Sequence, residues 1–271
     1  VTDESTISKL GEWLATPPGE YVRAWEQAQF DAMVADVFGY QAWQVGMPQL
    51  DALKDNRMPF KAYAGLVLPG KGTGAWQAQI QADPEALPFD AQSIDLLVLP
   101  HVLEFASRPH EVLREVDRVL VPEGRVVISG FNPWSLWGLR ESIPGIDPWL
   151  PHAQAAQVSL VRLRDWFKLL GFEAERGRYG CYAPPCRTET WLQRWHFMES
   201  AGERWWPFCG AVYAVSAVKK VQGVRLIGQP WKKKKRRMPR GARVAGATSM
   251  EQAVAPQALP ARDMPVDKDN R

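Results

Sequence analysis

The chain has 271 residues, 46% of them hydrophobic and 23% charged, with a formal net charge of +3. That length allows one large α/β domain or two small ones, and either buries a full core. No apolar run approaches the roughly 20 residues of a membrane helix, and the start, VTDESTISKL, lacks the apolar region of a signal peptide. Three cysteines, Cys181, Cys186 and Cys209, offer neither a disulfide framework nor paired metal-ligand spacing. A soluble cytosolic protein without a membrane span or a metal is expected.

The charge is unevenly divided. Gln229 to Arg271 carries 11 Lys/Arg against 4 Asp/Glu, a net of +7, which leaves −4 on the first 228 residues. With Pro, Ala, Gly and charge and no apolar period, residues 229–271 are expected to be a disordered basic tail. Its run KKKKRR, Lys232 to Arg237, either binds a polyanion such as nucleic acid by simple charge or serves as a solvated, solubilising segment. Truncation after Gly228 is expected to leave the melting temperature nearly unchanged while weakening polyanion binding. A truncated protein that melts much lower would show that the tail packs on the domain.

Along residues 1–228, Phe30, Met33, Val34 and Val37 fall at helical spacing, so a helix is predicted over 20–38, stopped by Gly39. A short strand at 41–46, a short helix near 49–57 and strands at 61–68 and 75–82 follow. Only about seven residues join the last two strands, too few for a crossover helix. IDLLVL (94–99) has the composition and length of a buried parallel strand. Residues 108–120 form an amphipathic helix, VPEG (121–124) breaks it, and RVVISG (125–130) is the next strand, completing a βαβ unit. Beyond lies a Pro- and Trp-rich stretch (131–152), then a helix capped by Ser159 and stopped by Gly171. A strand at 172–179, an inserted helix at 188–199 and a last strand at 210–220 complete the domain.

The segment from Gln81 to Gly130 resembles the centre of the type-11 class I S-adenosylmethionine-dependent methyltransferases. Asp83, the loop Leu87–Phe89, Asp95, the turn His101–Glu104, Arg114–Leu120 and Pro122–Gly130 match in order. TPPGEY and ISGFNPWSLWGLR are similar to a bacterial branch of that family. The resemblance implies a doubly wound, Rossmann-like α/β domain with a seven-stranded, mostly parallel sheet, helices on both faces and a helical insertion. It implies S-adenosylmethionine as cofactor, held at the C-terminal strand ends where strand order reverses.

By the same resemblance Gly46, Leu68, Asp83, Pro84, Leu87 and Pro100 are the expected cofactor-binding positions, with Asp83 on the adenine amine. Asp83 before Pro84 is also a turn former, and Gly46 alone suits any strand-to-helix turn. Asp95, at a strand start, reads as structural. His101 is the expected catalytic base or acceptor-orienting group, or else a turn histidine satisfied by the backbone. Residues 131–152 with 188–206 are the expected acceptor lid, although the default reading of such tryptophans is packing.

The chain also departs from the family. Its first loop, QVGMPQL (44–50), has one glycine and no acid, and GLVLPGKG (65–72) lacks the acid that would hold the ribose. Two functions therefore stand: methyl transfer to an unidentified acceptor, or a non-catalytic methyltransferase-like binding protein that has lost part of the cofactor site.

Overall fold

The computed structural model describes residues 4–70, 74–143, 145, 149–150 and 157–220. The expected tail lies outside them. Seven strands form one sheet: β1 (Gln41–Val45), β2 (Phe60–Gly65), β3 (Ala78–Gln81), β4 (Ile94–Pro100), β5 (Leu120–Phe131), β6 (Phe172–Gly180) and β7 (Val212–Lys219). Their order is β3-β2-β1-β4-β5-β7-β6. The first five are parallel, and β7 runs antiparallel to both β5 and β6. Chain order reverses between β1 and β4, so a crevice opens at their C-terminal ends.

The longer helices follow from the sequence. Pro17 and Pro18 occupy the first turn of α2 (Pro17–Val34), where the missing N–H groups have no intrahelical partner to lose. Its Phe30, Met33 and Val34 pack on one face of the sheet with Leu96, Val98 and Val127. On the other face lie α4 (Pro109–Val119), burying Val112, Leu113, Val116 and Val119, and α6 (Leu160–Leu170), burying Leu160, Leu163 and Phe167. The Ser159 hydroxyl accepts from Arg162 N–H at the start of α6, and Gly171, with φ of 81°, ends it. Pro122–Gly124 is not a break before β5 but an irregularity within it: pairing jumps from Ile94↔Leu120 to Leu96↔Arg125, and Glu123 has φ of 64°.

Several expectations are corrected. Residues 49–57 are turns, not a helix, because two buried amides organise the chain there. Gln44 Nε2 donates to Met47 O (3.0 Å) and Leu50 O (2.8 Å), and its Oε1 accepts from Ala52 N–H at 2.9 Å. Asn56 Nδ2 donates to Val34 O at 2.9 Å, and its Oδ1 accepts from Met58 N–H at 2.9 Å. The segment 188–199 is two helices, α7 (Glu189–Arg194) and α8 (Phe197–Trp205). An unexpected α1 (Glu4–Trp13) precedes α2. With α3 (Val102–Phe105) and α5 (Leu136–Glu141), it crowds the C-terminal pole of the sheet, where Ile7, Leu10, Leu14, Phe105, Phe131 and Trp137 form a separate apolar cluster. No helix among the described residues is long and apolar enough to cross a membrane.

Candidate functional site

The strand ends converge on a small cavity of about 20 Å³, room for about one water molecule. Its walls are Gly46 and Met47 after β1, Gly65 and Leu66 at the end of β2, Pro84 after β3, Pro100, Val102 and Phe105 after β4, and Ile7 from α1. Gly46 sits at φ of 75°, and a Cβ added to it would stand 2.9 Å from Val102 Cγ2. Glycine is needed here twice over: an L side chain is strained at that φ, and the space is occupied.

Of the expected cofactor positions, Gly46, Pro84 and Pro100 meet in this cavity. Leu68 does not line it. β2 ends at Gly65, earlier than read, so Leu66 takes the wall position and Leu68 is 46% exposed. Leu87 does not line it either. Its side chain is in the core, and its backbone is pinned by α4: Leu87 N–H donates to Glu115 Oε2 at 3.1 Å, and Arg118 donates to Leu87 O (2.8 Å) and Phe89 O (2.7 Å). Much of the Leu-Pro-Phe and Arg-Glu-x-x-Arg pattern is thus one tertiary clamp. Arg118 draws the Glu115 carboxyl down, against some burial, and the pair holds the loop after β3 to α4.

Asp83 follows β3, half-buried beside the wall residue Pro84. Its Oδ1 accepts from Glu85 N–H at 2.9 Å and its carbonyl accepts from Ala86 N–H at 3.0 Å, so it shapes the turn as the turn reading expects. Asp95 is structural, as read: its Oδ2 accepts from Tyr40 and Gln41 N–H at 2.8 and 2.9 Å, tying the start of β1 to β4.

His101 is not at the mouth of the crevice. It caps α3 at φ of 54° with its ring wholly buried and 4.5 Å from the Phe131 ring. Nδ1 lies 2.9 Å from Glu104 Oε2, and Nε2 lies 2.9 Å from Glu26 Oε1 on α2 as an ion-pair contact without hydrogen-bond alignment. Glu104 Oε1 accepts a short hydrogen bond from Phe131 N–H. Burial drives the ring toward neutrality, but the two carboxylates outweigh it and hold the imidazolium up to about 10. With both ring nitrogens facing carboxylates, His101 does not line the cavity.

Asn132 Nδ2 donates to Phe208 O and Gly210 O at 2.8 and 2.9 Å, joining the end of β5 to the segment before β7. Trp137 is buried with Nε1 donating to Ala183 O at 2.8 Å, whereas Trp134 is 74% exposed. The first stretch read as a lid is therefore tied to Ala183, Phe208 and Gly210, which flank the second, with one tryptophan packing and the other facing out.

Strand order, the antiparallel β7 and the strand-end cavity define a class I S-adenosylmethionine-dependent methyltransferase fold. Residues 62–128 match the family model of a methyltransferase domain of type 11, which together with the fold supports a class I methyltransferase. Protein YafS of Escherichia coli is 46% identical over 95 residues, 35% of this chain and 39% of its own length. The match thus spans about two fifths of that curated relative. Among solved structures, a methyltransferase complexed with the Haloferax volcanii Trm112 methyltransferase activator superposes with a TM-score of 0.54 at 18% identity, over 80% of this chain and 98% of that one. A S-adenosylmethionine-dependent methyltransferase of Thermotoga maritima gives 0.51 at 14%, over 74% and 92%. These structures bear on fold alone. The family match with the fold supports S-adenosylmethionine as the cofactor.

The residues present fit that cofactor in part. The Gly46 turn, which a Cβ would fill, permits close backbone approach at the end of β1, and Asp83 follows β3. No acid stands at the end of β2, where Gly65 and Leu66 form the wall, and Ile7 narrows the cavity to less than a nucleoside needs.

Proposed function

We propose that this chain transfers a methyl group from S-adenosylmethionine to an acceptor presented at its Trp-rich pole. The observation that carries the reading is Gly46, held in the left-handed region against Val102 of α3, where only a residue without a side chain fits. Gly46, Pro84 and Pro100 would give the cofactor its backbone and apolar surface, and Asp83 would accept from the adenine amine. The cofactor supplies a methyl carbon made electrophilic by its sulfonium. The chain's own work is to align the acceptor and exclude water. α1 must swing away from the cavity for the cofactor to enter. The acceptor would lie between the segments 132–143 and 189–206, and the basic run Lys232 to Arg237 would add weak polyanion contact.

Calorimetry with S-adenosylhomocysteine on wild type, Asp83→Ala and Asp83→Asn tests the reading. A charge-assisted hydrogen bond contributes about 1.5–3 kcal/mol, so Asp83→Ala should weaken binding by roughly ten- to a hundredfold. Asp83→Asn keeps an acceptor for Glu85 N–H and should fall between the two. Equal affinity in all three proteins would remove Asp83 from the site and leave it as a turn residue. A second reading, a non-catalytic methyltransferase-like binding protein, is favoured by the cavity of about 20 Å³ and by the missing ribose acid. Failure of folded wild type to bind at millimolar ligand would support that second reading.

A further inference from the structure

The half-buried arginines that hold this fold together find acceptors. Arg118 donates to Leu87 O, Phe89 O and Glu115, and Arg125 meets Ser216 Oγ and Glu175. Arg140, half-buried on α5, differs: among the described residues it makes no hydrogen bond or ion pair, and its Nη1 is buried. Its guanidinium lies over the Trp149 ring, with Cζ 4.7 Å from the centroid. Arg187, exposed in the loop between β6 and α7, reaches the same ring at 5.9 Å. Trp149 is 5% exposed, and its Nε1–H is buried without an acceptor. A donor taken out of water normally acquires an acceptor, because the hydrogen bond it gave up has to be replaced. Stacking alone would carry nothing: Arg162 lies over Trp166 at 5.1 Å, and neither residue there has a buried orphan donor.

The arrangement is held in place. Glu141 Oε1 accepts from Trp149 and Leu150 N–H at 2.5 and 2.7 Å, which ties the backbone of the ring to the helix that carries Arg140. That carboxylate forms no ion pair with either arginine among the described residues. Trp149 stands edge-on to Trp137 at 5.8 Å, in the apolar cluster that also contains Ile7, Met47 and Phe105 of the cavity wall. Arg140 lies in the first of the two segments proposed to flank the acceptor, and Arg187 lies just ahead of the second. Guanidinium and indole N–H groups donate and do not accept, so their complement is a group that only accepts. A carboxylate or a phosphate meets that demand, and the planar fork of arginine matches both.

We propose that Arg140, Arg187 and the Trp149 indole form an anion-binding subsite that selects methyl acceptors carrying a carboxylate or phosphate group. The proposal rests on the methyl-transfer reading above and names the substrate class of that site. It gives the two buried donors an acceptor and the two arginines a shared ligand. An acceptor anchored by its anionic group loses its freedom to tumble before transfer, which is the alignment that the reading requires.

Ligand-observed NMR on the full chain, with and without S-adenosylhomocysteine, tests this with benzoate, phenyl phosphate and the neutral benzyl alcohol. Wild type is expected to bind at least one anion about tenfold or more tightly than the alcohol, and the preferred anion separates carboxylate from phosphate. Arg140→Gln and Arg187→Gln should each weaken that anion by roughly tenfold and leave benzyl alcohol within about threefold. Arg162→Gln, the stacked arginine on α6, should behave as wild type. Lys232 to Arg237 also attract anions, so the difference between variants of the full chain is what is read. If Arg140→Gln does not fold by circular dichroism, Arg140→Lys, which keeps the charge without the fork, and Arg187→Gln are read on the same criterion. An anion preference that is absent, or that survives the substitutions, overturns the proposal, and S-adenosylhomocysteine binding by wild type then leaves the cofactor reading intact. If the substitutions weaken S-adenosylhomocysteine as much as the anion, the arginines hold the cofactor's own carboxylate and the acceptor subsite is overturned. Failure of wild type to bind S-adenosylhomocysteine overturns both the methyl-transfer reading and the acceptor assignment.

Discussion

His101→Ala is expected to lower unfolding stability by about 3–5 kcal/mol, because it leaves two buried carboxylates facing each other without the ring between them. The loss is global, since the ring joins α2 through Glu26 to α3 through Glu104, and Glu104 in turn holds β5 at Phe131. A pH dependence goes with it. The folded imidazolium is held up to about 10 by the two carboxylates against burial, above the ordinary 6.5. A raised value means that the folded state binds the proton more tightly, so this contribution is fully present below about pH 6.5 and is lost as pH rises toward about 10. Urea unfolding of wild type should therefore show stability falling by a few kcal/mol across that window. One histidine C–H resonance should keep its imidazolium shift from about pH 6 to 8.5 and vanish in His101→Ala. A ring that titrates near 6.5, or an alanine variant within about 0.5 kcal/mol of wild type, would show that the cluster is solvated and does not lock the fold.

Much of the fold was legible because its signals are local. The buried run of β4, the apolar stripe of α4 and the Ser159 and Gly171 caps of α6 each specify their element within a few residues. No helix stands between β2 and β3 among the described residues, as expected, although both strands are shorter than read and the joint runs over 66–77. What escaped depends on distant partners. Residues 49–57 lie in turns because Gln44 and Asn56 satisfy the backbone there, and neither amide shows in a hydrophobic period. α1 was hidden by its polar start, although Ile7, Leu10 and Leu14 stand at the i, i+3, i+7 spacing of a buried face.

The site divides along the same line. Gly46, Pro84 and Pro100 were reachable from the rule that ligands bind at strand ends. Leu68 was misplaced because apolar content does not locate the last residue of a strand. Leu87 belonged to a motif whose purpose, the Glu115–Arg118 clamp, appears only when α4 is folded against the loop. His101 read as a crevice residue because its second partner, Glu26, lies on a helix far upstream, and the sequence contains no sign that the two meet. Met47, Val102, Phe105 and Ile7, the cavity residues missed, are apolar and carry no motif.

Gly46→Ala separates the two demands made on that residue. The first is conformational: an L residue at φ of 75° costs roughly 1–2 kcal/mol, which lowers the melting temperature by about 2–8 °C in a chain of this size. The second is steric, because the new Cβ would stand 2.9 Å from Val102 Cγ2 and push the wall formed by Pro100 and Val102. Gly145→Ala isolates the first demand, since Gly145 has φ of 86° and, among the described residues, nothing lies within 4 Å of an added Cβ. Gly46→Ala is expected to be less stable than Gly145→Ala and, if the cavity holds the cofactor, to weaken S-adenosylhomocysteine binding by at least about tenfold. Gly145→Ala should bind as wild type. Val102→Ala in the Gly46→Ala background removes the contacting methyls and should restore part of the binding but none of the conformational cost, a coupling that a double-mutant cycle reads directly. Full binding by Gly46→Ala would mean that the cofactor does not approach the chain at the end of β1, and the proposed site would have to move.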